Sequence, residues 1–119
     1  MPFVHVEYSE RLRPTFDRQA FAREVHATAP TVIDAPSVGF KTRFRQIEES
    51  CFGEGDDTVD AVFIELSILS GRTRETRAKL AETVRDIAVR HAKASEGHQL
   101  QVMVEVREME RESYRSHKD

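Results

Sequence analysis

The sequence has 119 residues, 39% hydrophobic and 33% charged, which predicts a single soluble globular domain spanning 1–119 and excludes a disordered or fibrous chain. With a net charge of −3 and a pI near 6.0 there is no global attraction for nucleic acid. The longest apolar run, Ala61–Ile64, stops at Glu65, far short of the roughly 20 residues of a membrane span; a lone Cys51 and the lack of an apolar leader fit a reducing cytoplasm.

Residues 3–8 alternate, with Val4, Val6 and Tyr8 on one face and Phe3, His5 and Glu7 on the other, the period of a strand. Pro14 marks a turn and Thr15 or Asp17 can cap a helix. Phe16, Ala20, Phe21, Glu24, Val25 and Thr28 recur at helical spacing, so that helix is expected from about 15 to 28. Pro30 and Pro36 bracket a connection, and residues 38–47 alternate again, with Lys41, Arg43 and Arg45 forming a basic face. The stretch 48–60, with Gly53, Gly55 and Asp56–Asp57, reads as a loop. Val59–Leu69 is the clearest strand. From Arg74, Leu80, Val84, Ile87, Ala88 and His91 form one helical stripe, capped by Thr73 and with Gly97 as the expected stop. Residues 100–106 are a fourth strand, and 107–119 are expected to be a polar, solvated tail, or one reaching a neighbouring subunit.

The two halves, about 1–48 and 59–108, share one order: strand, helix, strand. Two fused β-α-β units predict an α+β fold, a four-stranded mixed sheet with two helices on one face. The other face then carries Phe3, Phe63, Leu69 and Met103 among polar residues, which predicts a homo-oligomer unless the 48–60 loop or the tail covers them.

Pro2 is the first candidate for chemistry. While Met1 is attached its nitrogen is a tertiary amide; if Met1 is trimmed, as a small second residue permits, it is a secondary amine. A free α-amine titrates at about 7.7–8.0, and apolar surroundings lower that value, giving a neutral base near pH 7. The plainer reading is a proline starting an edge strand. Lys41 and Arg43 on the second strand and Arg72 in the turn after the third suit carboxylate binding, the Arg by a planar fork and the Lys as a point charge. Equally, a basic strand face can simply be solvated. The histidines at 5, 26, 91, 98 and 117 lack zinc-site spacing, with His91 reading as a helix residue at the core boundary. Gly53–Glu54–Gly55 is no dinucleotide fingerprint and the acidic loop no calcium loop, so neither metal nor cofactor is expected.

Pro2 opening a strand, together with Ile68-Leu69-Ser70-Gly71-Arg72-Thr73-Arg74-Glu75-Thr76-Arg77, resembles the tautomerase superfamily built on an amino-terminal proline. Within it, residues 2–9 and 39–43 are most similar to 5-carboxymethyl-2-hydroxymuconate isomerases. The resemblance implies a trimer with Pro2 at the floor of a pocket near a subunit boundary. It also implies Pro2 as proton shuttle, with Lys41, Arg43 and Arg72 gripping the carboxylates and enolate oxygen of a small anionic keto-enol substrate. Relatives tend to carry Arg where this chain has Lys41, which replaces a fork by a point charge. Two further readings stand beside the isomerase: a hydratase or dehalogenase on the same scaffold, and a non-catalytic module that binds an anion or a partner chain.

Overall fold

Four alternating segments become four strands, because period-2 patterning puts every second side chain on the helix-covered face of one sheet. The computed structural model describes residues 1–119. In chain order the elements are β1 (Phe3–Ser9), α1 (Arg18–Ile33), β2 (Lys41–Ile47), β3 (Val59–Leu69), α2 (Arg74–His91) and β4 (Gln99–Met109), with single 3₁₀ turns at 10–12, 37–39 and 111–113. The sheet order is β2-β1-β3-β4; β1 pairs parallel with β2, β3 parallel with β4, and β1 antiparallel with β3 along the seam. Phe3 lies opposite Lys41 on one side and Ser67 on the other, and Ser67 opposite Arg107. One end of the sheet therefore gathers the starts of β1 and β2 and the ends of β3 and β4. No helix is long and apolar enough to cross a membrane.

The core lies between sheet and helices. Val4, Val6 and Tyr8 of β1 and Val62, Ile64, Leu66 and Ile68 of β3 meet Phe21, Val25, Ala29 and Ile33 of α1 and Leu80, Val84, Ile87 and Ala88 of α2, all buried. Each large aliphatic side chain so buried contributes roughly 1.5–3 kcal/mol. Phe16 sits edge-on to Tyr8, Phe21 and Phe44 at centroid distances of 5.8, 5.6 and 6.2 Å, the geometry favoured by ring quadrupoles. Asp17 caps α1, accepting from the Ala20 N–H at 3.1 Å, and Thr73 caps α2, accepting from the Thr76 N–H at 3.1 Å.

Four boundaries differ from expectation: β2 begins at Lys41 rather than Val38, since 37–39 form a 3₁₀ turn, and three others differ at element ends. α1 does not stop before Pro30 but runs through it to Ile33. A proline near the last turn forfeits one backbone bond, while Ala29 and Ile33 on either side of it are buried, and the Pro30 carbonyl still accepts from the Ala35 N–H at 3.1 Å. α2 ends at His91 rather than near Gly97, because the residues beyond it pair with the chain before α1: Lys93 N–H donates to the Thr15 carbonyl at 3.1 Å, and the His91 carbonyl accepts from Asp17 N–H at 3.0 Å. β4 continues to Met109, paired with Leu69, so residues 107–109 belong to the sheet and not to a solvated tail.

At the opposite end of the sheet from Pro2, Asp60 is wholly buried. One of its oxygens accepts from Arg11 Nε at 3.0 Å and lies 3.1 Å from His98 Nδ1; the other accepts from the Ser95 N–H at 2.7 Å. Burial alone raises a carboxyl pKa, but the Ser95, Arg11 and His98 donors outweigh it and hold Asp60 at about 2.

The open face of the sheet is mixed, and two aromatic residues from outside the strands partly cover it. Phe52 of the 48–58 loop stacks on Phe63 at 6.4 Å, and Tyr114 sets its ring edge-on to Phe3 at 6.3 Å. Phe63 remains 41% exposed, so the covering is incomplete.

Candidate active site

Pro2 is buried where β1 begins, and its carbonyl accepts from the Lys41 N–H at 3.0 Å, which locks the start of β1 to the start of β2. The Met1 amine donates to the Gly39 carbonyl. A Cβ on Gly39 would lie 2.7 Å from the Met1 carbonyl oxygen, so only glycine lets the backbone approach this closely. Burial first, and then the Lys41 charge, lower the Met1 amine below its ordinary value of 8.0.

The other predicted residues are distributed unequally. Lys41 is exposed on the open side, beside Phe3, and has no carboxylate partner. Arg43 lies two residues further along the same face, where its Nη2 is 2.9 Å from His5 Nδ1. Arg72 is at the Pro2 end but turned to the backbone: Nε and Nη2 donate to the Ile33 carbonyl at 3.3 and 3.1 Å, and Nη1 to the Leu69 carbonyl at 3.2 Å. It ties the end of α1 to the end of β3. Arg72→Ala strands two partly buried carbonyls and is expected to cost about 1–3 kcal/mol, seen as a Tm lower by roughly 5–10 °C. A Tm within about 1 °C of the parent's would show that these bonds carry no stability.

A depression of about 660 Å³ does not include Pro2; it lies along the open face between His5, Arg43, Arg45, Glu65, Met103 and Glu105. The proline corner is instead framed by residues 109–114, part of the stretch expected to be a solvated tail. The Ser70 N–H donates to the Met109 carbonyl at 3.0 Å, Arg111 Nε to the Ser70 carbonyl at 2.7 Å, and Tyr114 reaches Phe3. Nothing in local patterning marks these contacts, since each joins segments far apart in the chain. No group of three or more His, Cys, Asp or Glu side chains is placed to hold a metal ion.

The profile of the 5-carboxymethyl-2-hydroxymuconate isomerase family matches residues 2–118. The chain belongs to this family. Solved structures agree on the fold. A 5-carboxymethyl-2-hydroxymuconate isomerase from Deinococcus radiodurans R1 superposes with a TM-score of 0.83 at 17% identity, covering 99% of this chain and 90% of that one. A 5-carboxymethyl-2-hydroxymuconate delta-isomerase gives 0.79 at 16% identity, over 100% and 89%. A fused 4-OT described as a symmetric trimer gives 0.73 at 18%, over 94% and 91%. Direct comparison with curated protein sequences finds no match. The protein is therefore a tautomerase-type isomerase, with the four-stranded mixed sheet and two helices of that fold.

Proposed function

We propose that this isomerase moves a proton between carbons of a small unsaturated keto-enol acid bearing more than one carboxylate, such as 5-carboxymethyl-2-hydroxymuconate, with the Pro2 amine as shuttle once Met1 is removed. The observation that carries this reading is the corner at the start of the chain, where Pro2 is buried and bonded to the start of β2 at Lys41, and where burial and the Lys41 charge lower the Met1 amine next to it. A neutral secondary amine there takes a proton from one carbon and returns it to another. The charge pushed onto the substrate oxygen meets the cations of the same end: Lys41 nearest the amine, Arg43 further along the face, and Arg72, which adds positive potential from behind the backbone it braces. A preorganised donor of this kind contributes about 10²- to 10³-fold. The steps require neither metal nor organic cofactor.

We also place the enzyme in the cytoplasm as a homotrimer. The incompletely covered open face, with Phe63 and Met103, gives apolar surface for such an assembly, and a structural relative is named as a trimer. The decisive experiment follows the ultraviolet absorbance of a muconate-type enol beside that of a halogenated acrylate, with intact mass recorded on the same sample. Enol turnover with Met1 absent supports the reading. Halide release without enol turnover would replace it with water addition on the same scaffold, and full turnover with Met1 retained would remove the proline from the mechanism.

A further inference from the structure

We propose that Arg111 is a specificity-determining residue of this isomerase, gripping a second substrate carboxylate and so favouring dicarboxylates over monocarboxylates; this rests on the reading of Pro2 as the reacting amine. The segment after β4 doubles back across the Pro2 end. Arg111 Nε is fixed on the Ser70 carbonyl at 2.7 Å, and its Nη2 lies 3.7 Å from where a Cβ on Gly71 would sit, so the guanidinium lies over the β3–α2 turn. Three residues on, Tyr114 packs against Phe3, the immediate neighbour of Pro2. Residues 111–114 therefore bridge the turn and the start of β1.

The charges at this end are unequally compensated. Arg107 is paired with Glu65 and Glu105, and Arg77 with Glu108. Arg72 is occupied by the Ile33 and Leu69 carbonyls, and Arg115 by those of Glu112 and Tyr114. Arg111 has no carboxylate partner, and only its Nε is engaged. The N–H groups of its two terminal nitrogens remain as a planar fork, oriented in advance by the Nε bond, which suits bidentate capture of a carboxylate. Lys41, beside Phe3 from the other side, is likewise unpaired. Lys41 and Arg111, neither with a carboxylate partner, lie beside the two members of an aromatic pair, Phe3 and Tyr114, which matches a ligand with two anionic groups joined by a flat unsaturated chain. A monocarboxylate needs only one of them.

The test compares steady-state kinetics of the full chain on a two-carboxylate enol (2-hydroxymuconate) and a one-carboxylate enol (an aryl enolpyruvate), for the parent, Arg111→Ala and Arg111→Lys. Arg111→Ala is expected to raise KM for the dicarboxylate about 10- to 100-fold, the loss of hydrogen bonds to a charged group. Its kcat stays within about threefold and the monocarboxylate kinetics stay unchanged; Arg111→Lys, which keeps the charge without the fork, recovers part of the KM. Equal losses on both substrates, or none on either, in an active parent would overturn the role of Arg111 alone. A parent that turns over neither enol would overturn the proline reading with it. Should Arg111→Ala fail to fold, Arg111→Lys carries the comparison, and an unchanged substrate ratio there would count against the proposal.

Discussion

Enzyme whose Pro2 nitrogen stays acylated, by retained Met1 or by an added amino-terminal segment, is expected to turn over enol substrates about 10²- to 10⁴-fold more slowly, the range a positioned general base supplies. The structure separates this loss from misfolding, since it contains Met1 with its amine seated on the Gly39 carbonyl and the core intact. Circular dichroism and Tm should therefore match between the acylated and trimmed forms while kcat does not. The pH profile gives an independent readout. A base must be neutral to act, so kcat/KM rises with pH through the amine pKa; burial and the Lys41 charge lower the Met1 amine in this corner, and a Pro2 amine beside the same lysine is expected to show its limb displaced downward too. Lys41→Gln removes one of these causes and should move the limb to higher pH. A limb that stays in place in Lys41→Gln would show that the lysine charge does not reach the reacting amine.

The largest stability effect is expected at Asp60. Asp60→Ala leaves the Ser95 N–H and His98 without their acceptor at a buried site and releases the half-exposed Arg11, and with each lost hydrogen bond to the carboxylate costing about 1.5–3 kcal/mol the total is expected at about 3–5 kcal/mol. In a domain of this size that lowers Tm by roughly 10–20 °C. Arg11→Ala, removing a half-exposed partner, should cost only about 1 kcal/mol. Acid has a related effect with a definite sign. The folded pKa of Asp60, about 2, lies below the ordinary 3.8, so its contribution is complete above 3.8 and is lost as pH falls through 2. The amount is about 2 kcal/mol. Urea titrations from about pH 6 to about pH 2 on the parent and Asp60→Asn would show it: the parent should lose more stability than the variant, and parallel curves would remove Asp60 from the acid response.

Strand alternation exposes most of the fold, because a period of two on both sides of a buried face leaves little freedom: Val4, Val6 and Tyr8, and Val62, Ile64, Leu66 and Ile68, fall on the core side as their spacing requires. The misread boundaries share a cause. Pro30 and the polar Arg107–Glu108 pair look like terminators, yet tertiary partners outweigh local preference: core packing around Ala29 and Ile33 in the first case, and the pairing with Leu69 and ion pairs to Glu65, Glu105 and Arg77 in the second. The placement of Pro2 at the start of β1 is legible from the alternation that follows it, whereas that of Lys41 at the start of β2 is not, since alternation already begins at Val38. Asp60 is not, since it reads as the last residue of a turn-rich stretch and its partners are 49, 35 and 38 residues away in sequence. Arg111 is hidden in the same way, with its placement depending on a carbonyl 41 positions upstream.

The parallel pairing of β1 with β2 and of β3 with β4, joined by one antiparallel seam, makes the two halves point opposite ways. Repetition of a unit duplicates every strand and helix but not the beginning of a chain. Counting from Phe3 and Val59, the first residues of β1 and β3, the counterpart of the Met1–Pro2 corner is the Asp57–Thr58 linkage, an ordinary internal peptide whose nitrogen cannot titrate. If Pro2 is the reacting amine, a chain with two strand-helix-strand halves has one such corner, because only one of its halves begins with a chain terminus. At the start of β3, where the second half begins, the buried Asp60 instead ties together Arg11, Ser95 and His98, joining segments 35 to 49 residues apart in the chain.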